Sequence, residues 1–214
     1  MPLATKATGA LNPPEREETA AVPPIVFASE SFLKKIVFER ARLDHTIDPA
    51  VIDESQYVKL GIEERTRRMA SAKCQQVVGR HEGSIVIAAE TIATCNGTLL
   101  QRPVDLRQAF RMALAMSGKE MMVCTGVSMY DPKKGDIATE LSETRVRYQQ
   151  FIRADLERLF KDRNPLRIGS ALGVYTNAPG FTLVESIDGS YSGMFGMPME
   201  IVYGWLRLRG YLPC

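Results

Sequence analysis

Ile25-Val26-Phe27-Ala28-Ser29-Glu30-Ser31-Phe32-Leu33-Lys34-Lys35-Ile36-Val37 is the stretch that decides the fold. Its first four residues are an unbroken apolar run, the pattern of a strand buried on both faces. From Phe32 the apolar positions (Phe32, Leu33, Ile36, Val37) fall at helical spacing, and Ser31 stands where an N-cap belongs. The segment predicts strand, tight turn, helix. A helix start exposes unpaired N–H groups and the positive end of a dipole, which suits an anion. Ser29 and Ser31 add hydroxyl donors there, and Lys34 and Lys35 place cations in the first turn. Those cations oppose the dipole, and a bound anion would relieve the conflict. The plain alternative is two solvated lysines, because lysine is rarely buried.

The same alternation continues downstream. Residues 62–78 read as a helix carrying Ile62, Met69, Ala70, Cys74 and Val77, and Ser84 to Ala89 as a central strand. Ile92 to Leu100 is broken by Asn96-Gly97, a strong hairpin signal. A helix is predicted over 104–117, with Gly118 placed to end it. A strand over 121–130, a turn at Asp131-Pro-Lys-Lys-Gly135 and an antiparallel partner from Thr139 to Tyr148 follow. A helix around 153–163, a glycine-containing loop over 169–180, a strand from Phe181 to Ile187 and a helix from Pro198 to Arg209 complete the chain. Interleaved strands and helices with some hairpins predict an α/β fold, a mixed sheet flanked by helices. Residues 1–23 lack any apolar period and are expected to form a flexible tail before a single domain over 24–214.

Composition narrows the functions. The chain has 214 residues and 45% hydrophobic content, enough for one core. Its 27 Lys and Arg against 25 Asp and Glu leave a net charge of +2, which supplies no global field for nucleic acid. No apolar run approaches a membrane span, and the N-terminus lacks a secretory apolar region. The four cysteines (Cys74, Cys95, Cys124, Cys214) form no Cys-x-x-Cys pair, and only His45 and His81 could join them. Reduced thiols in a cytoplasmic protein are expected, without structural zinc. A Walker loop, a Gly-x-Gly-x-x-Gly fingerprint and His-Glu-x-x-His are all absent from the sequence.

Four further features bear chemistry. Glu90 follows the apolar strand, and ends of strands in α/β sheets are where sites are built; otherwise it is a surface acid. The Asn96-Gly97 hairpin brings Arg102 near Glu90. Ideal pairing sets residue 91 against 102, so Glu90 and Arg102 point to opposite faces unless the register shifts. The adjacent acids Asp53-Glu54 can hold a hard cation such as magnesium or simply be solvated. Asn177, in Tyr175-Thr-Asn-Ala-Pro-Gly180, can read a base edge or form a turn. Ser190-Tyr191-Ser192-Gly193 reads as a polar loop, and Trp205 as a core or dimer residue.

In order along the chain these pieces resemble the Maf (septum-formation) family. Ala28-Ser29-Glu30-Ser31-Phe32-Leu33-Lys34 matches its Ala-Ser-x-Ser-Pro-Arg-Arg, and Asp53-Glu54 its acidic pair. Met69-Ala70-Ser71-Ala72-Lys73-Cys74 matches Leu-Ala-x-x-Lys-Ala, and Ala88-Ala89-Glu90-Thr91 matches Gly-Ala-Asp-Thr. Arg102-Pro103, Met116-Ser117-Gly118, Thr125-Gly126-Val127, Gly189-Ser190-Tyr191-Ser192 and Gly196-Met197-Pro198 follow in the family's order, over about residues 25–210. The resemblance implies a fold like that of inosine triphosphate pyrophosphatases, with two lobes around a cleft, and commonly a homodimer. It implies hydrolysis of a nucleoside triphosphate, such as dTTP, UTP or a modified nucleotide, to the monophosphate and pyrophosphate with magnesium. In that reading Ser29, Ser31 and Lys34 hold phosphate and Glu54 and Glu90 hold the metal. Glu90, Lys73 and Arg102 are catalytic, and Asn177 touches the base or orients water. Lys34 stands for the family's Arg, Leu33 for another Arg, Glu90 for Asp, Arg102 for Lys and Asn177 for Gln. These changes keep charge sign or amide at each position except Leu33. They leave open a weakly active or inactive relative that serves as a nucleotide-binding module.

Overall fold

The computed structural model describes residues 22–161, 164–167, 172 and 180–212. Most of the proposed tail, Asn177 and Cys214 lie outside the described residues. Strands β1 (Ile25–Phe27), β2 (His45–Ile47), β3 (Ile85–Cys95), β4 (Thr98–Leu100), β5 (Glu120–Asp131), β6 (Asp136–Tyr148) and β7 (Val184–Gly189) form one sheet. Its order is β2-β1-β3-β5-β6-β7, with β4 on β3. The helices are α1 (Phe32–Arg40), α2 (Ile62–Val78), α3 (Leu106–Ala115), α4 (Arg153–Lys161) and α5 (Met199–Leu208).

Alternation along the strands divides the core. In β3 and β5 the odd-numbered residues face one side. Ile85, Ile87, Val127 and Met129 pack there against Phe38 of α1 and against Val202, Trp205 and Leu206 of α5. Cys95, Met121 and Val123 lie on that same face and join a separate cluster with Ala113 of α3 and Leu156 and Leu159 of α4. Between the two clusters the face turns polar at Thr91 and Thr125, whose hydroxyls lie 3.1 Å apart. That polar seam separates the two clusters. The opposite face packs Val86 and Ala88 against Cys74 and Val77 of α2. Met199, Val202, Trp205 and Leu206 of α5 are buried at helical spacing, each worth about 1.5–3 kcal/mol.

Several expectations change. The strand ending at Ala89 continues without a bulge to Cys95, so Glu90 sits mid-strand. Its pairing with β5 runs across every residue from Val86 to Cys95, and that long partner keeps the strand extended. Ser31 holds the N-cap position of α1 but makes no side-chain capping bond; its N–H instead donates to Ser29 Oγ at 3.2 Å. The short strand β2 carried no apolar alternation and pairs parallel to β1 at the sheet edge. Gly180–Leu183 forms a 3₁₀ turn, so the strand expected from Phe181 begins at Val184. Glu54–Tyr57 is also a 3₁₀ turn. The hairpin forms as read, with Asn96 and Gly97 at φ values of 49° and 74°, as its two-residue turn requires.

Candidate active site

The site originates in a gap along one edge of β3. β5 pairs with residues 86–95 along the other edge. On the open edge β1 pairs with residues 85–87 and β4 with residues 93–95. Among the described residues, 88–92 between them have no strand neighbour there. A cleft of about 740 Å³ opens at this gap, lined by Ser29, Ser31, Lys34, Glu54, Lys73, Glu90 and Arg102 among others. The structure thus brings together every described residue of the expected site.

Lys34 is buried, 7% exposed, and its Nζ donates to the Ala89 carbonyl at 2.6 Å. The ammonium takes the place of a missing strand partner on the open edge. Burial pulls its pKa down to about 8, against the opposing pull of Glu90. The reading of Lys34 as a solvated surface cation is therefore overturned. Gly196 makes room for it: a Cβ there would lie 2.5 Å from Thr91 Oγ1 and 3.1 Å from Lys34 Cε, and its φ is +81°.

Lys73 projects from α2 and pairs with both Glu90 and Glu54, the latter at 3.1 Å. Burial works to raise the Glu90 pKa, but Lys34 and Lys73 hold it below the usual carboxylate range. Burial likewise pulls Lys73 down, and Glu90 and Glu54 together raise it. The helix can reach the sheet because Gly126, directly across from Glu90, has no side chain. A Cβ there would lie 2.5 Å from the Thr66 carbonyl oxygen.

Asp53 does not share the role of its neighbour. Its carboxylate accepts from the Ser55 N–H at 3.1 Å and caps the 3₁₀ turn. Glu54 alone of the pair reaches the cleft. Arg102 leaves the ladder beyond the Ala93–Leu100 pair, so strand register does not dictate its direction. That release resolves the conflict of faces with Glu90, and Arg102 makes no ion pair among the described residues. Arg167, at the end of a 3₁₀ turn, also lines the cleft. Sequence reasoning missed it, and no local pattern marks it. Ala93, Leu100, Met121, Val123, Met194 and Phe195 form an apolar end.

Among the described residues no cluster of three or more His, Cys, Asp or Glu residues could hold a metal. Two carboxylates nevertheless converge on one cation, the Lys73 ammonium. That donor set suits magnesium, which takes one or two carboxylates and fills its octahedron with water and substrate phosphates.

An interrupted strand edge, a buried lysine and paired carboxylates in one cleft define an α/β protein built to hold a polyanion. Residues 24–208 match the Maf-like protein family, and the chain belongs to it. It is 30% identical to the dTTP/UTP pyrophosphatase of Moorella thermoacetica, over 87% of this chain and 95% of that protein. It is 27% identical to the dTTP/UTP pyrophosphatase of Halalkalibacterium halodurans, over 88% of this chain and 97% of that one. The protein of the same name in Syntrophomonas wolfei is 28% identical, over 86% and 96%.

Proposed function

We propose that the chain hydrolyses a nucleoside triphosphate, with dTTP and UTP the first candidates, to a monophosphate and pyrophosphate. The observation that carries this reading is the convergence of Glu54 and Glu90 on one cation beside the buried Lys34. The relatives' activities agree with it.

The triphosphate lies along the open edge of β3. Ser29, Ser31 and the start of α1 donate to its oxygens, and Lys34 adds a fixed charge already desolvated by the fold. The base points toward the apolar end at Met121, Val123 and Phe195, and Asn177 contacts it or orients water. Magnesium, held by Glu54 and Glu90, would shield the phosphate charge and lower the barrier to attack. Glu90 accepts a proton from the attacking water as its oxygen bonds to the α-phosphorus. The bond from that phosphorus to the bridging oxygen breaks, and pyrophosphate leaves with its charge stabilised by Lys73 and Arg102. Arg167 adds a further cation on the cleft wall. A homodimer in the cytoplasm completes the reading.

The test is pyrophosphate release by the purified chain with magnesium, across ordinary, methylated and deaminated triphosphates. Release with one or two bases supports the reading. The Lys73 ammonium already sits on Glu90, which favours a second reading, a nucleotide-binding module without turnover. Heat stabilisation by a triphosphate with no pyrophosphate formed would establish that one instead.

A further inference from the structure

Glu54 sits on a segment with little support of its own. Its side chain is 54% exposed, and residues 49–54 belong to no strand. Among the described residues, their polar ties to the rest of the fold run to α2 and the turn after it. The Gln76 side chain clasps Val51 at both backbone groups: Val51 N–H donates to Oε1 at 2.7 Å, and Nε2 donates to the Val51 carbonyl at 2.6 Å. Arg80 Nε donates to Asp48 at 2.8 Å, and its Nη2 to the Pro49 carbonyl at 3.3 Å. His81 Nε2 lies 2.8 Å from the same Asp48 carboxylate. At the other end Lys73 meets Glu54 at 3.1 Å.

Lys73 and Gln76, at i and i+3, share one stripe of α2, and Arg80 follows in the turn just past the helix end. The segment runs antiparallel along that stripe, Glu54 beside Lys73, Val51 beside Gln76, Asp48 beside Arg80. The spacing from residue 51 to 54 matches that from 76 back to 73. A rigid helix thereby sets the height of Glu54 relative to Glu90, which the same Lys73 contacts from the sheet side. Gln76 touches no residue of the cleft chemistry directly; both of its bonds are to the Val51 backbone.

We infer that Gln76 is a positioning residue that holds Glu54 at the distance from Glu90 at which both carboxylates serve one divalent cation; this rests on the reading of Glu54 and Glu90 as metal ligands. Among the described residues, loss of the clasp leaves the segment's polar ties to the rest of the fold at Asp48, Pro49 and Glu54, with none at Val51. The segment then samples positions in which Glu54 misses the cation. A misplacement of one ångström at such a site has large consequences, and residues behind metal ligands typically affect affinity by about 10–100-fold.

The experiment titrates Mn²⁺ into the full-length protein without nucleotide and follows free Mn²⁺ by electron paramagnetic resonance. Gln76→Ala is expected to weaken Mn²⁺ binding about tenfold. Its melting temperature should shift by no more than about 3 °C, because Gln76 is at the surface. Glu54→Gln should weaken binding at least as much. The double variant should match Glu54→Gln alone, because the clasp acts only through Glu54. If Glu54→Gln weakens binding while Gln76→Ala leaves it unchanged, or the two effects multiply, the inference is overturned and the metal reading stands. If Glu54→Gln leaves Mn²⁺ affinity unmoved, the metal reading fails and takes the inference with it.

Discussion

Glu90 of β3 and Gly126 of β5 are directly paired in the sheet, and α2 descends onto Gly126 to backbone distance. The missing side chain at one residue therefore sets how closely Lys73 approaches the other. A glycine far from the substrate in role, though not in space, fixes the charge pair at the centre of the cleft.

Gly126→Ala should consequently lift α2 from the sheet. Its new Cβ would meet the Thr66 carbonyl at 2.5 Å, and neither backbone can yield cheaply. Overpacking of this kind costs about 1–3 kcal/mol, which urea unfolding would measure. Activity should fall by more than the folded fraction, because Lys73 moves. Unchanged stability would mean that the helix can shift freely.

Removing one partner of the Lys73–Glu90 pair exposes what burial costs. Their side chains are only 16% and 15% exposed. Lys73→Met should destabilise the fold by about 3 kcal/mol, because Glu90 keeps its burial and loses one of the two cations that act on it, Lys34 remaining. Glu90→Gln should reduce pyrophosphate release about a thousandfold, the usual scale for losing a positioned proton acceptor. Full turnover by Glu90→Gln would remove Glu90 from the mechanism. The depressed Glu90 pKa also contributes stability that is present above the ordinary carboxylate range. That contribution is lost as pH falls through the folded-state value, so Glu90→Gln should flatten the acid side of the stability curve.

Lys34 imposes an alkaline limit. With its pKa at about 8, its ammonium deprotonates as pH rises through that value. A profile of kcat/KM against pH should show a falling limb near pH 8. Lys34→Arg should abolish that limb, since a guanidinium does not titrate there. Stability moves the opposite way. The unfolded chain binds more protons than the folded one between about pH 8 and 10.5, so the penalty for burying charged Lys34 eases as pH rises across that window. An identical alkaline limb in Lys34→Arg would assign the titration to another group.

Gly196→Ala should act on the same lysine from the other side. Its methyl group would press on Thr91 Oγ1 and Lys34 Cε, and its φ of +81° is strained for alanine. A loss of about 1–3 kcal/mol is expected, with KM for the triphosphate raised more than kcat is lowered. A change confined to kcat would show that Lys34 stays in place.

Local patterns carried much of this. The apolar run at Ile25, the stripe in residues 62–78 and the Asn96-Gly97 turn each report on their own few residues, and each formed as read. Strand β2 was not legible, because His45-Thr46-Ile47 acquires its extended form by pairing with β1. Nor was the length of β3: Glu90 looks like a stop until β5 supplies ten consecutive partners. Arg167 has no signal around it, since its place in the cleft comes from a distant part of the chain.

By itself the sequence determined the element order, the family resemblance and the residue types of the site, because periodicity and turn chemistry are properties of neighbouring residues. Only the tertiary structure decided that β1 and β4 leave the middle of β3 uncovered and that Lys34 fills that gap while Glu54 and Glu90 share Lys73. Those are pairings between segments as far apart in the chain as Ile25 and Ile85. Their distances follow from how closely helix and sheet can pack, a quantity that no local stretch encodes.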